Sequence, residues 1–243
     1  MERGKLIIVD GISGSGKGRQ MELIKASWPG CYFNHEPSGD LYGCVARSIN
    51  EHTPMPEGLL DACLLYGDSK KYDFWNRLHE IIIRIKNGLL PDELERQLLI
   101  MADRIYNLET KYLPSLANGT SVIIDRYFPS LLAYGFSGGL DMDVLWQWQE
   151  NAFASSDIIG AKWMPDLMII FDLNAEEATA RLKSSGKIID VYEEKIERMK
   201  KIREGYQILA KRQDISKKTV VIDANRSPEE IFTDVKREID KVL

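Results

Sequence analysis

Cysteine and histidine are scarce in these 243 residues, at three each. Cys31, Cys44 and Cys63 are odd in number and lack metal-ligand spacing, and His35, His52 and His79 are scattered along the chain. Both a disulfide-built scaffold and a Cys/His metal centre are disfavoured; the thiols are expected to be reduced and partly buried, as in a cytoplasmic protein. Positive charge is not in excess either. The formal net charge is −5, which argues against a surface devoted to nucleic acid. Long apolar runs are missing as well. The N-terminal run covers only Leu6–Val9, too short for a secretory signal, and no stretch approaches a membrane span, so no membrane partner is expected. No internal repeat or low-complexity linker divides the chain. Its length suits one domain over residues 1–243, with enough apolar sequence for a substantial core.

Glycine is what the chain concentrates, and in one place. Residues 6–20 read LIIVDGISGSGKGRQ: a short apolar run, a glycine-rich turn, a lysine, then a helical pattern. That is the layout of a phosphate-binding loop, in which glycines let the backbone approach phosphates and successive amide N–H groups bind anions at a helix N-terminus. The pattern G-x-x-x-x-G-K-[ST] holds from Gly11 to Lys17 and fails at Gly18, where a hydroxyl normally touches magnesium. The candidate ATP-binding residues are Gly11, Ser13, Gly14, Ser15, Gly16, Lys17, Gly18 and Arg19, with Lys17 reaching the outer phosphates.

Four further short apolar runs read as buried parallel strands, near residues 31–33, 121–125, 167–172 and 219–223. Helical patterns separate them. Pro91 and Asp92 open a long one reaching about Leu116, Asn174 with Glu177 opens another to Lys183, and Ser227-Pro228-Glu229-Glu230 is a capping-box start. Alternating strands and helices predict an α/β fold, a five-stranded parallel sheet covered on both faces, with ligands beyond the C-terminal strand ends. The phosphate loop, Glu36 and Asp125-Arg126 all fall at such ends.

Phosphoryl transfer needs phosphates held in line, water excluded and cations over the moving charge. Lys17, Asp125 and Arg126 are therefore the catalytic candidates. Asp125 can reach Mg²⁺ directly or through water, and Arg126 can fork onto phosphate oxygens. Arg104, in an isolated Asp103-Arg104 on the long helix, reads by itself as part of a surface pair. The run of Arg181, Lys183, Lys187, Lys195, Arg198, Lys200, Lys201 and Arg203 is interleaved with glutamates and reads mostly as a solvated helix face.

Gly14–Gly18 resembles the loop of nucleoside monophosphate kinases such as adenylate kinase. A wider set of segments, in order, resembles the thymidylate kinase family. His35-Glu36-Pro37-Ser38-Gly39 is similar to the family's Arg-Glu-Pro-Gly-Gly, and Leu98–Arg104 to its Leu-Leu-Phe-Ala-Ala-Asp-Arg. Asp125-Arg126-Tyr127, Ser130 and Ala133-Tyr134-Gly135 are similar to Asp-Arg-Tyr-x-x-Ser-x-x-Ala-Tyr-Gln-Gly. Pro165-Asp166-Leu167 and Gly205-Tyr206 also fit.

The resemblance implies ATP-dependent phosphorylation of a nucleoside monophosphate, dTMP to dTDP first of all, with Mg²⁺ and as a homodimer. It also implies an acceptor site of Glu36, Ile100, Arg104, Arg126 and Tyr134, and a lid over ATP near residues 181–195 that includes Arg181. The chain departs from the family at several positions. Ser13 stands where Asp or Glu is usual, Ile100 replaces the phenylalanine that stacks on thymine, and His35 replaces an arginine. Asp190-Val191-Tyr192-Glu193 lacks the lid arginine, for which Lys183, Lys187 or Arg19 are the candidate substitutes. Residues 52–90 are longer than the family's connection. Trp75, Leu78, Ile82 and Ile85 make a helical stripe there, expected to be core packing, as are Trp146 and Trp148. The departures leave two other readings open. One is a deoxynucleoside kinase, with Glu36 as base, or a kinase for another monophosphate; the other is a nucleotide-binding protein with little catalysis.

Overall fold

The computed structural model describes residues 2–68, 73–154, 163–185 and 195–243. The apolar run Leu6–Gly11 forms strand β1, buried at every position, as a central strand covered on both faces requires. It is flanked by β3 (Val122–Asp125) and β4 (Leu167–Asp172), with β2 (Tyr32–His35) beyond β3 and β5 (Thr219–Asp223) beyond β4. All pairings are parallel. The pairing places Val9 opposite Asp125, Asp125 opposite His35, and Gly11 opposite Phe171. The C-terminal ends of β1, β2, β3 and β4 thus meet along one side of the sheet.

The helices are α1 (Lys17–Ser27), α2 (Leu41–Asn50), α3 (Leu59–Asp68), α4 (Asp73–Lys86), α5 (Glu93–Asn107), α6 (Leu113–Ala117), α7 (Phe128–Ser137), α8 (Met142–Ala154), α9 (Ala175–Ser184), α10 (Ile196–Leu209) and α11 (Pro228–Asp240). A π-helical turn, Leu108–Tyr112, joins α5 to α6, so the long pattern expected to reach about Leu116 is one interrupted rod. Its start is the capping box Asp92/Glu95, and Ser227/Glu230 forms a second box at α11. Asn174 Oδ1 accepts from the Glu177 amide at 2.7 Å. Each satisfies backbone donors that a helix start leaves open.

Two helices, α3 and α4, follow α2. Trp75, Leu78, Ile81 and Ile82 are buried on α4 and Ile85 is half-buried. Tyr66 packs edge-on against Trp75 and against Tyr106 of α5, and Tyr42 of α2 lies 6.0 Å from Trp75 between ring centres. The stripe is core packing, as its spacing predicts. Trp146 packs against Phe128 and Trp163 at 5.2 and 5.4 Å, whereas Trp148 is 37% exposed and departs from the expected burial. Arg198 and Arg203 depart from the solvated-face reading. Arg198 pairs with Glu93 of α5 at 2.7 Å, and Arg203 forks onto Asp172 at the end of β4 at 2.7 and 2.9 Å.

Candidate active site

β1 delivers the chain into a tight turn. Gly14 has φ +82°, and a Cβ there would lie 2.4 Å from the carbonyl oxygen of Ala178 on α9, so both the dihedral and the space demand glycine. Gly16, also left-handed, precedes the first turn of α1. Lys17 folds back over the turn, its Nζ donating to the carbonyl oxygens of Gly11 (2.6 Å) and Ile12 (3.1 Å). Ser15 Oγ is buried with no hydrogen-bond partner among the described residues. A lysine, a buried hydroxyl and the α1 N-terminus suit a polyanion.

The neighbouring strand tip supplies a guanidinium. Arg126 follows β3 with φ +68°, a left-handed conformation that costs an ordinary L-residue about 1–2 kcal/mol. Its amide donates to Val9 O at 2.9 Å. Arg126 Nη2 donates to Ser13 Oγ at 2.7 Å, and Nη1 to the Tyr134 hydroxyl at 2.9 Å. Ser13 and Tyr134 are themselves 3.0 Å apart. Ser13, expected on the ATP side, thus has its hydroxyl directed to the guanidinium. Burial opposes the Arg126 charge, but Tyr134, Tyr206, Asp10 and Asp125 outweigh it and hold the group protonated. Asp125 Oδ1 is buried and has no partner among the described residues. His35 pairs with Asp125 across the sheet, and Arg47 on α2 reaches the His35 ring (3.2 Å) and donates to the Pro37 carbonyl. A cation therefore stands where His35 replaces the family's arginine, though it comes from a different element.

Behind these groups lies a buried polar layer. Arg104 is fully buried, not on the surface as the isolated pair predicts. It donates to Glu36 from Nε (2.9 Å) and Nη2 (2.6 Å) and to Gln149 from Nη1 (2.6 Å), and it lies 4.9 Å over the Tyr127 ring. Burial pushes the Glu36 carboxyl upward, and the Arg104 fork opposes it. Asp103 accepts from the amide and hydroxyl of Ser38 (2.7 and 2.6 Å). Burial raises its pKa to about 6 against those bonds. Asp103 and Arg104 thus tie α5 to both sides of Pro37. Asp10, fully buried at the end of β1, is a further carboxylate in this layer.

Other candidates lie further out. Arg19 Nη1 is 3.0 Å from Glu22 on the exposed side of α1. Arg181 on α9 donates to Glu177 (2.9 Å) and to Ala224 O beyond β5 (3.2 Å). Lys183 is exposed, and Lys187 and Asp190–Glu193 fall outside the described residues. Ile100 is half-buried against the core, one helical turn before Arg104. Arg47, Asp10 and Gln149 were not identifiable from the sequence. Asp10 is a lone polar residue ending an apolar run, with only its position directly before Gly11 as a signal, and Arg47 and Gln149 stand among other polar residues of ordinary helical stretches.

A phosphate cradle after the central strand, with an arginine from the adjoining strand reaching into it, makes this a P-loop nucleotide kinase by architecture. Comparison with known proteins narrows the class. A family model described as Thymidylate kinase matches residues 77–235. The thymidylate kinase of Carboxydothermus hydrogenoformans is 29% identical over 96% of this chain and 96% of its own length. That of Legionella pneumophila (strain Corby) is 30% identical over 99% and 96%, and the probable thymidylate kinase of Pyrococcus horikoshii 29% over 96% and 94%. The chain belongs to the thymidylate kinase family.

Proposed function

We propose that the protein transfers the terminal phosphate of ATP to thymidine 5′-monophosphate, yielding ADP and dTDP. The observation that carries this reading is the reach of Arg126 to Ser13 at 2.7 Å, which brings an acceptor-side guanidinium to the donor cradle. The names of the relatives support thymidylate as the acceptor.

In this reading ATP lies along residues 11–18, with Lys17 exchanging its two carbonyl partners for the outer phosphates. Arg126 binds the acceptor phosphate, and Tyr134 lines the acceptor pocket with Ile100. An acceptor oxygen attacks the terminal phosphorus in line while the bond to the ADP oxygen breaks, and the arginine and lysine offset the charge. The acceptor is already ionised, so no general base is needed. Glu36, bound by the Arg104 fork, does not present the free carboxylate that a nucleoside hydroxyl would require. Arg104 then acts on the acceptor pocket by holding Glu36 in place. Mg²⁺ fits this chain: Asp125 Oδ1 is a buried carboxylate oxygen without a partner among the described residues, and one carboxylate plus substrate phosphates is a common magnesium environment. When bound, the ion neutralises phosphate charge.

The proposal includes one domain carrying the α3–α4 elaboration, a lid near residues 181–195 with Arg181 at its base, a homodimer and a cytoplasmic location. No helix among the described residues is long and apolar enough to cross a membrane. The deciding experiment is an acceptor panel of nucleosides and monophosphates with ATP, read by ADP formation. dTMP is expected to be the best acceptor, and Lys17→Ala and Arg126→Ala are each expected to lower kcat by about 10²–10³-fold while remaining folded. Turnover of thymidine but not dTMP, or near-parent turnover in both variants, overturns the reading.

A further inference from the structure

Asp10 has no exposure and accepts five hydrogen bonds. Its Oδ1 takes the Gly11 amide (2.8 Å), the Ser130 hydroxyl (2.8 Å) and the Tyr206 hydroxyl (2.7 Å). Its Oδ2 takes the amides of Ser130 (3.0 Å) and Tyr127 (3.3 Å). These donors come from three places: the first amide of the phosphate cradle, the first turn of α7, and α10.

The α7 contact has a local cause. Its N-cap residue is Tyr127, whose side chain makes no capping bond, and Pro129 stands in its first turn. Asp10 supplies the missing acceptor from 117 residues away, and its charge suits the positive end of that helix. An ordinary cap lies beside its own helix and touches nothing else. This one also holds Gly11, and it reaches Arg126 through a single atom, because Ser130 Oγ lies 3.4 Å from Arg126 Nη1. Burial and the Asp10 charge push the Tyr206 phenol upward, so it stays a donor.

We infer that Asp10 is a positioning residue for phosphoryl transfer: one carboxylate, bound at once by the cradle and by the helix behind Arg126, fixes the spacing between donor phosphate and acceptor guanidinium. The inference rests on the kinase reading above and deepens it. An asparagine would keep the shape but offer one acceptor oxygen and an NH₂. Whichever way it turned, at least two of the five donors would face an N–H. Cradle and clasp could each still bind, but their mutual distance would no longer be set, and a displacement of about 1 Å can cost about 10²-fold in rate.

The test uses the full chain and the variants Asp10→Asn, Tyr206→Phe and the double variant. It reads kcat and KM with dTMP, and ATP affinity by direct titration. Asp10→Asn is expected to lower kcat by about 100-fold with ATP affinity held within about 3-fold. Tyr206→Phe should lower kcat by about 10-fold, and the double variant should fall by clearly less than the product of the two single effects, because the hydroxyl, 2.7 Å from Asp10 and 2.9 Å from Ser130 Oγ, belongs to the same bonded cluster as the carboxylate. A kcat within about 3-fold of the parent in Asp10→Asn, a matching loss of ATP affinity, or additive effects each overturn the inference. Should Asp10→Asn not fold, Tyr206→Phe decides: an unchanged kcat sinks the inference, and a fall at constant ATP affinity upholds it. A parent chain that phosphorylates no monophosphate overturns the kinase reading and this inference with it.

Discussion

Gly14 and Gly18 stand four residues apart in the same turn and helix, and alanine should act on them with opposite sign. Gly18 lies in the first turn of α1 with nothing beyond its own helix backbone within 4 Å of an added Cβ and no left-handed backbone. Alanine there removes unfolded-chain freedom and gains about 0.5–1 kcal/mol. At about 2–4 °C per kcal/mol for a chain of this size, the melting temperature should rise by about 1–4 °C. Gly14 has φ +82°, so alanine pays about 1–2 kcal/mol in the dihedral alone. Its Cβ would also meet the Ala178 oxygen at 2.4 Å, where ordinary contact begins at 3.4 Å. Relief requires the cradle and α9 to part by about 1 Å, a shift that costs about 10²-fold in turnover. Calorimetry and ADP-release kinetics on Gly14→Ala, Gly18→Ala and the parent test both claims. A Gly14→Ala protein that melts with the parent, or a Gly18→Ala protein that melts lower, refutes the geometry given for the turn.

Other outcomes follow from the polar layer and the strand tips. Arg104→Met leaves Glu36 buried without its fork and should cost about 3–5 kcal/mol, a fall of roughly 6–20 °C by calorimetry; a drop under about 2 °C would show that the fork contributes little. Asp125→Asn should raise the Mg²⁺ concentration for half-maximal turnover by about 10-fold or more, and an unchanged magnesium titration removes Asp125 from the metal assignment. Arg203 holds the Asp172 carboxyl below its ordinary value. The folded pKa is the lower one, so this contribution is present above the unfolded value of 3.8 and is lost as pH falls through the folded value. Both groups are partly exposed, so the contribution should be small, about 1 kcal/mol or less. Arg203→Gln should accordingly flatten the acid limb of a stability–pH curve below about pH 4, and an unaltered limb would contradict this.

The central architecture was legible because it is written in local signals. β4 and β5 occupy the apolar runs expected at 167–172 and 219–223, and the capping residues at Asp92 and Ser227 open the expected helices. β2 was displaced, expected at 31–33 and found at Tyr32–His35. Its last residues are polar, and Asn34 belongs to the strand because its side chain donates to Asn107 and Tyr112 at 2.9 Å, a tertiary reason that no window of sequence contains. The same holds for Arg104. Alone it reads as a surface cation; Glu36, 68 residues away, makes it a buried one. Lys17, Asp125 and Arg126 stand out in the sequence because motif and strand end coincide. Arg47 and Asp10 do not, because their partners come from elements that only folding brings near.

Trp146 and Trp163 both pack on Phe128, at 5.2 and 6.1 Å, and the Trp163 carbonyl accepts from the Tyr127 hydroxyl at 3.3 Å. Tyr127 and Phe128 directly follow Arg126. Indole emission depends on its immediate surroundings, so the tilted Trp146–Trp163 pair, 5.4 Å between ring centres, gives the protein an intrinsic fluorescence signal for events at the tip of β3. Events there can be followed in real time on the unlabelled chain, against the emission of Trp28, Trp75 and the more exposed Trp148.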